Sequence, residues 1–467
     1  MQDNPPPGAA QDASGTADSH GAGAGRPGLL GKLVKNGTLL RAVAGTGGLG
    51  LAEKGLALAS AILLARLLGA ESYGYYSFAV MLASLLAVPF QRGIPQFLTR
   101  AVARTETRED WSGLAGLRRW AVRVTPIAAV GVAVGLGSGL LLLAPGIAAL
   151  DRLSFAIALA LVPFTAMLAA RAGLLRGLGR AVQAMWPRTV LKRCLFLLAV
   201  IGLTVAGVEL QAPIVVLAQL AASAIALTAA AVMLRRYWPA RAREAAARPQ
   251  TRRWMRESVP FLLIAVTTAA AQKGDILLAG ILLSASDVGV YRIVTQGGIL
   301  IAMPLAALNP VIGPRVARLY IAEDIPALQR LLTGSSAVMA AFAGIGLLVF
   351  VFAGDWLLAA IFGAEFAAGH VPLVIYGIGQ LLHVAAGSVG VFLTMSGYEK
   401  LMLRAMIVSA AVNLAATLAL IPPFGLAGAA GASALSIVAL NAMMALAVYR
   451  RLGIVAGPLP IRRPRAR

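Results

Sequence analysis

Six ionisable side chains sit within long apolar runs: Glu53, Lys54, Arg92, Lys273, Asp275 and Arg292. A charge at the centre of a membrane helix costs roughly 2.5–3.5 kcal/mol, so it faces an aqueous cavity or a partner. Four cations against two anions suit a negatively charged cargo, which makes Lys54, Arg92, Lys273 and Arg292 candidate binding residues. Glu53 and Asp275 are candidates for carrying a coupling proton or sodium ion. Helical geometry limits which of them converge. Residues two apart point about 200° apart, so Lys273 and Asp275 do not share a face. Residues three or four apart do. Gln272 with Asp275, Arg92 with Gln96, Arg292 with Gln296, and Gln380 with His383 form polar stripes suited to a cavity lining.

Plainer readings stand beside these. Lys54 could pair with a carboxylate on a neighbouring helix, and Glu53 with Lys54 or Lys273. Arg292 lies a few residues after Asp287 and could snorkel to an interface. Arg92 could lie nearer the inner surface, and His383 could be a satisfied packing residue. His20, His370 and His383 are the only histidines, and none has a Cys, His or carboxylate at metal-ligand spacing. No metal, cofactor or paired catalytic carboxylate is expected, and no Walker-type lysine loop is present. The expectation is a protein that is not an enzyme.

The elements that carry these residues are read from hydropathy. The 467 residues are 59% hydrophobic and 13% charged, with mean hydropathy +0.80. Soluble domains carry about 25% charged residues. Apolar runs near 20 residues recur, long enough to cross a hydrocarbon core of ~30 Å. Twelve spans are expected, near 44–68, 73–97, 121–145, 153–175, 189–208, 212–234, 258–283, 288–313, 333–353, 371–395, 402–421 and 425–449. Residues 1–28 read as a disordered cytoplasmic tail, poor in apolar side chains. Residues 29–234 read as one six-helix bundle and 258–450 as a second. The basic stretch 235–257 connects them, and 451–467 form a basic tail.

The net charge of +22 would suggest nucleic acid in a soluble chain. Here 35 of the 41 Lys and Arg fall on one side when both termini are placed inside. That is the positive-inside pattern, and no nucleic-acid partner is expected. The single Cys194 excludes an internal disulfide.

The chain also repeats itself. Shifted by 215 residues, Gly289 falls on Gly74, Tyr291 on Tyr76, Pro304 on Pro89, Pro310 on Pro95 and Arg315 on Arg100. Upstream the register slips, and Lys54-Gly55 answers Lys273-Gly274. Six spans per half make the halves parallel repeats, with cargo expected at their interface around a central cavity. The paired prolines are expected to kink their helices.

Three stretches carry a family resemblance: ARLLGAESYGYYSFAV, DILLAGILLSASDVGVYRIV with the later PRVARLY, and IFGAEFAAGHVPLVIYGIGQLLHVAAGSVGVFLTMSGYEK. Over residues 30–455 the chain resembles the polysaccharide and oligosaccharide flippases (Wzx type) of the multidrug/oligosaccharidyl-lipid/polysaccharide exporter superfamily. The resemblance implies a multi-pass protein of a bacterial inner membrane. Its cargo would be a saccharide on a polyprenyl pyrophosphate, moved from inner to outer leaflet for exopolysaccharide, capsule or O-antigen synthesis. It further implies contact with membrane lipids, a monomeric transport unit and polysaccharide polymerase machinery as a candidate partner. The alternative is a cation-coupled multidrug or small-solute antiporter on the same scaffold, which would want an acidic, aromatic-rich lumen. A membrane-embedded polymerase or ligase is disfavoured by short outside loops and the absent acid–base pair.

Overall fold

The computed structural model describes residues 37–143, 145–396, 398–454 and 457–458. The side chains at 37–47, 51, 140–151, 270–277, 310–311, 314, 395, 399–400 and 451–452 lie outside that description. The expected tail 1–28 and most of 451–467 therefore fall outside the described residues. So do the side chains of Lys273 and Asp275. The chain divides into a unit of residues 1–45 and a compact unit of residues 46–467. The packed core lies in the second.

The described residues are helical, with no strand among them. In order the helices are α1 (Gly37–Leu86), α2 (Ile94–Thr107), α3 (Trp111–Leu143), α4 (Pro145–Gly177), α5 (Ala181–Trp186), α6 (Lys192–Val205), α7 (Ala212–Tyr237), α8 (Ala240–Glu244), α9 (Thr251–Leu282), α10 (Ala285–Ile321), α11 (Ile325–Phe362), α12 (His370–Ala386), α13 (Val389–Met395) and α14 (Glu399–Leu452). Among the described residues seven helices are long and apolar enough to cross a membrane. At 1.5 Å per residue, helices of 50 and 54 residues far exceed one bilayer crossing. Each is broken by a glycine. Gly69 takes φ 71° within α1 and Gly425 takes φ 52° within α14. Only glycine adopts this conformation without a Cβ penalty. The breaks fall between the expected spans 44–68 and 73–97, and at the start of the expected span 425–449.

The prolines behave unequally. Pro89 opens a π-helical turn, Pro89–Gly93, and Pro187 opens another, Pro187–Leu191. Proline lacks the N–H that an α-helical turn needs, and a π turn absorbs the fault. At Pro304, the counterpart of Pro89, α10 runs on without interruption.

Residues 235–257 are more than a linker. Trp238, Ala242 and Trp254 are buried in the core of α1 through α4. The Arg248 N–H donates to the Ser112 carbonyl at 3.1 Å. Arg118 stacks over Trp238 and Arg241 over Trp111. At this basic end Arg104 and Arg253 both bind the Glu257 carboxylate, at 2.9 and 2.8 Å. Burial alone would raise the pKa of Glu257. The hydrogen bonds from Arg253 and Arg104 outweigh it and hold the carboxyl below its usual value. The pairing is present above the ordinary carboxylate range and lost as pH falls through the lowered value.

At the opposite end the two halves of the sequence meet. A Cβ on Gly74 would strike the Ala285 carbonyl, and one on Gly289 would strike the Ala70 carbonyl. Gly74 and Gly289, and Ala70 and Ala285, are related by the 215-residue shift, so the contact is reciprocal. Missing side chains let these backbones touch. The seam is latched on one side. Arg66 Nε donates to the Ile361 carbonyl at 2.8 Å, and its terminal nitrogen donates to the Ala360 carbonyl. Glu365 accepts the Ala70 N–H at 2.7 Å. Beneath lies a shared apolar cluster that draws Leu64, Tyr73 and Phe196 from one half and Tyr291, Phe366 and Ile421 from the other.

Substituting either seam glycine tests this packing. Gly74→Val and Gly289→Val should each lower stability by about 1–3 kcal/mol through overpacking. Thermal unfolding of the detergent-purified protein should show both variants melting earlier than wild type, whereas Gly55→Val, at a position with open space around it, should melt normally.

Candidate functional site

Below the seam α1, α6, α7 and α10 enclose a cavity. Its volume is about 1010 Å³, counting the solvent in its open mouth. Polar side chains face it at helical spacing: Ser60, Ser77 and Ser84 from α1, and Arg292 with Gln296 from α10. The stripe of Arg292 and Gln296 expected from the sequence is thus a cavity wall. A second cavity of about 740 Å³ adjoins toward the basic end and shares Val80, Ser84, Lys192, Arg193 and Gln219 with the first. Glu53, Gln91, Thr165 and Arg188 line this second part.

The cations at the junction were hidden in the sequence. Arg188 falls just outside the expected span 189–208, Lys192 and Arg193 lie near its start, and none of the three is among the candidate binding residues. The π turn carries the helix through Pro187 into α6. Arg188 and Lys192 are four residues apart, the one signal that could have placed them on a common face. Glu53, Arg92, Arg188, Lys192 and Arg193 form one electrostatically coupled group.

The remaining expected residues are spread more widely. Glu53 is half-buried and lines the cavity. Its neighbour Lys54 is exposed and appears among the lining residues of neither part. One step around a helix is about 100°, which separates them. Arg92 is exposed, with its charge felt at Arg188. Gln91, one residue earlier, lines the second cavity and donates to Thr165 at 3.3 Å. His383 donates from Nδ1 to Asn441 Oδ1 at 3.0 Å, as a packed polar residue would. It borders a separate pocket in the second half, with Asn309, Ser388 and Met402, whose described lining residues include no Lys, Arg, Asp or Glu.

Aromatic rings form one wall. Tyr76 stacks on Phe196 at 6.4 Å and lies 6.2 Å from Tyr73. The Tyr76 hydroxyl donates to Gln219 Oε1 at 2.6 Å, which fixes the ring. Its counterpart Tyr291 is tied in the matching way, through a 2.8 Å hydrogen bond to Ser433.

Among the described residues four cations, Arg188, Lys192, Arg193 and Arg292, therefore line these adjoining cavities with one carboxylate, Glu53. Among the described residues none of the four has a carboxylate at ion-pair distance. These half-buried cations can each make charge-assisted hydrogen bonds to an anion, so an anion entering this space is stabilised. No group of three or more His, Cys, Asp or Glu among the described residues could hold a metal.

Inorganic pyrophosphate titrated into the purified protein checks the electrostatics. Arg193→Ala and Arg292→Ala should each weaken binding about tenfold, the loss of one charge-assisted hydrogen bond. Lys54→Ala should leave the affinity unchanged in the same calorimetric titration.

Several known proteins share this architecture. An inward-facing multidrug resistance MATE family transporter of the MOP superfamily superposes with TM-score 0.67 at 14% identity, covering 86% of this chain and 94% of its own. The lipid II flippase MurJ in an inward closed conformation gives TM-score 0.67 at 12% identity, covering 86% and 87%. The MATE multidrug transporter DinF-BH gives 0.56 at 17% identity, covering 91% and 96%. At such identities these likenesses show the fold, that of the MOP-superfamily transporters. No curated protein matches the chain. The model of one family, described as "Polysaccharide biosynthesis protein", matches residues 39–320. That is more than half of the sequence, and this multi-pass membrane chain belongs to the polysaccharide biosynthesis protein family.

Proposed function

We propose that the chain flips a saccharide linked to a polyprenyl pyrophosphate from the inner to the outer leaflet of a bacterial inner membrane. The observation that carries this reading is the pair of adjoining cavities, whose described lining residues include four cations and one carboxylate. Pyrophosphate is the anionic part of such a cargo. Arg188, Lys192, Arg193 and Arg292 would hold it by charge-assisted hydrogen bonds, about twice as strong as neutral ones. Tyr73, Tyr76 and Phe196 offer ring faces and edges beside the cations, which suit the C–H surfaces of sugars. Lys273 and Asp275 remain proposed lumen residues on the backbone of α9, with Asp275 and Glu53 as proposed coupling groups.

The proposed cycle is alternating access between two halves, residues 29–234 and 258–450, joined by 235–257. The basic end lies in the cytoplasm in this reading, as the distribution of Lys and Arg favours. The latched seam at 66–74 and 284–289 then closes the cavity toward the outer face. Cargo would enter from the cytoplasmic side, and release of the seam would expose it outside. The chain would act as a monomeric transporter without enzymatic activity, in contact with membrane lipids and with polymerase machinery as partner. The antiporter alternative on the same fold asks for a cavity that attracts cations, whereas this one repels them.

A leaflet assay in cells tests the function. Deletion of the gene should leave the lipid-linked saccharide facing the cytoplasm, inaccessible to a membrane-impermeant sugar-oxidising label. Wild-type protein should restore labelling, and Arg193→Ala with Arg292→Ala combined should restore less than about a tenth of it, on the tenfold loss per charged hydrogen bond. Normal outer-leaflet labelling in the deletion strain would refute the proposal.

A further inference from the structure

A second cationic recess lies outside the transport cavity, between α2 and α9 at the basic end. Its volume is about 940 Å³, again with open solvent counted. Arg100 and Arg104 stand one turn apart on α2 and line it. Phe97 and Phe261 form its floor, in ring contact at 6.2 Å. Across from them Glu257 on α9 binds Arg104 at 2.9 Å. Arg253 takes the other carboxylate oxygen of Glu257 at 2.8 Å. Two cations therefore share one anion at the mouth of the recess. Arg100 is exposed and makes no ion pair among the described residues.

The recess changes character along its length. Pro260 and Ile264 continue it away from the charges. Beside them on α9 Leu263 is 62% and Ile264 61% exposed. Exposed apolar side chains in register on a membrane helix face acyl chains. From Glu257 to Ile264 is seven residues, roughly 10 Å along the helix. The recess thus presents a cationic mouth and, about 10 Å away, an apolar trough open to the side. An amphiphile with an anionic head and an apolar tail matches both parts.

We propose that this recess binds an anionic phospholipid of the leaflet at the basic end, with its phosphate on Arg100 and Arg104 and an acyl chain along Phe261 and Ile264. Clustered cations beside a membrane helix draw anionic headgroups in this way. The phosphate competes with Glu257 for Arg104. Because that ion pair joins α2 to α9, one helix from each half, the bound lipid exchanges a protein–protein tie for a protein–lipid one. The lipid site is independent of the identity of the transported cargo.

Native mass spectrometry of the full-length protein tests it, after incubation with equal amounts of phosphatidylglycerol and phosphatidylcholine. Wild type should retain phosphatidylglycerol preferentially. Arg100→Ala, at an exposed position that leaves folding intact, should reduce that retention about fivefold. Glu257→Gln removes the competing carboxylate charge and should increase it. Arg315→Ala, the repeat counterpart of Arg100, should behave as wild type. Equal retention of the two lipids by wild type would overturn the proposal, and so would unchanged phosphatidylglycerol retention in Arg100→Ala.

Discussion

The contact of Gly74 and Gly289 with the opposing backbone is the constraint on which the rest of the structure depends. Two helix segments can pass this closely only where side chains are missing, and each glycine meets the carbonyl of the other's neighbour. Residues matched by the 215-residue shift thus make reciprocal contacts, and the matched tyrosines beside them are each held by a hydrogen bond. Tyr76 is tied to α7 and Tyr291 to the second arm of α14. The Arg66 and Glu365 bonds are unpaired additions, made from one half to the other.

Symmetry of backbone is accompanied by asymmetry of charge. The cavity of the first half gathers Arg188, Lys192 and Arg193, and Arg292 of the second half reaches into it. The pocket around His383 in the second half is lined by aliphatic, thioether and neutral polar side chains, with no Lys, Arg, Asp or Glu among its described residues. Among the described residues the cations therefore gather in one of these pockets and not in the other. In a water-filled cavity these charges keep part of their hydration, and a polyanion replaces that water with direct contacts. The same charges oppose the entry of organic cations by repulsion. The arrangement supports an anionic cargo within a fold whose solved examples include both a lipid flippase and multidrug transporters.

Much of this architecture was legible in the sequence because its signals are periodic. Apolar runs indicated membrane helices, and the 215-residue shift identified Gly74 with Gly289 before the two were seen in contact. Arg292 and Gln296, four residues apart, line the same cavity. Local backbone chemistry hid the rest. A π turn at Pro187–Leu191 carries the helix on from Arg188, ahead of the expected span 189–208, to Lys192 and Arg193, and all three line the cavity although none is a candidate from the sequence. Pro89 and Pro304 occupy matching positions, but only the first has a π turn. A proline fixes the loss of one hydrogen bond and leaves the surroundings to decide how the loss is absorbed. Hydropathy also does not assign a face. Glu53 lines the cavity while Lys54, one residue on, is exposed.

The central claim is that transport requires the seam at the Gly74–Gly289 junction to open. A flipping assay on a locked protein tests it directly. Cysteines at Arg66 and Ala360, in a chain with Cys194 replaced by alanine, would be bridged by a short bis-maleimide after reconstitution into liposomes. The rate of movement of a fluorescent polyprenyl-pyrophosphate saccharide between leaflets would then be measured. Bridging should stop flipping, while mono-maleimide labelling of the same cysteines should leave most of it intact. Equal rates for the bridged and unbridged proteins would contradict a requirement for seam opening.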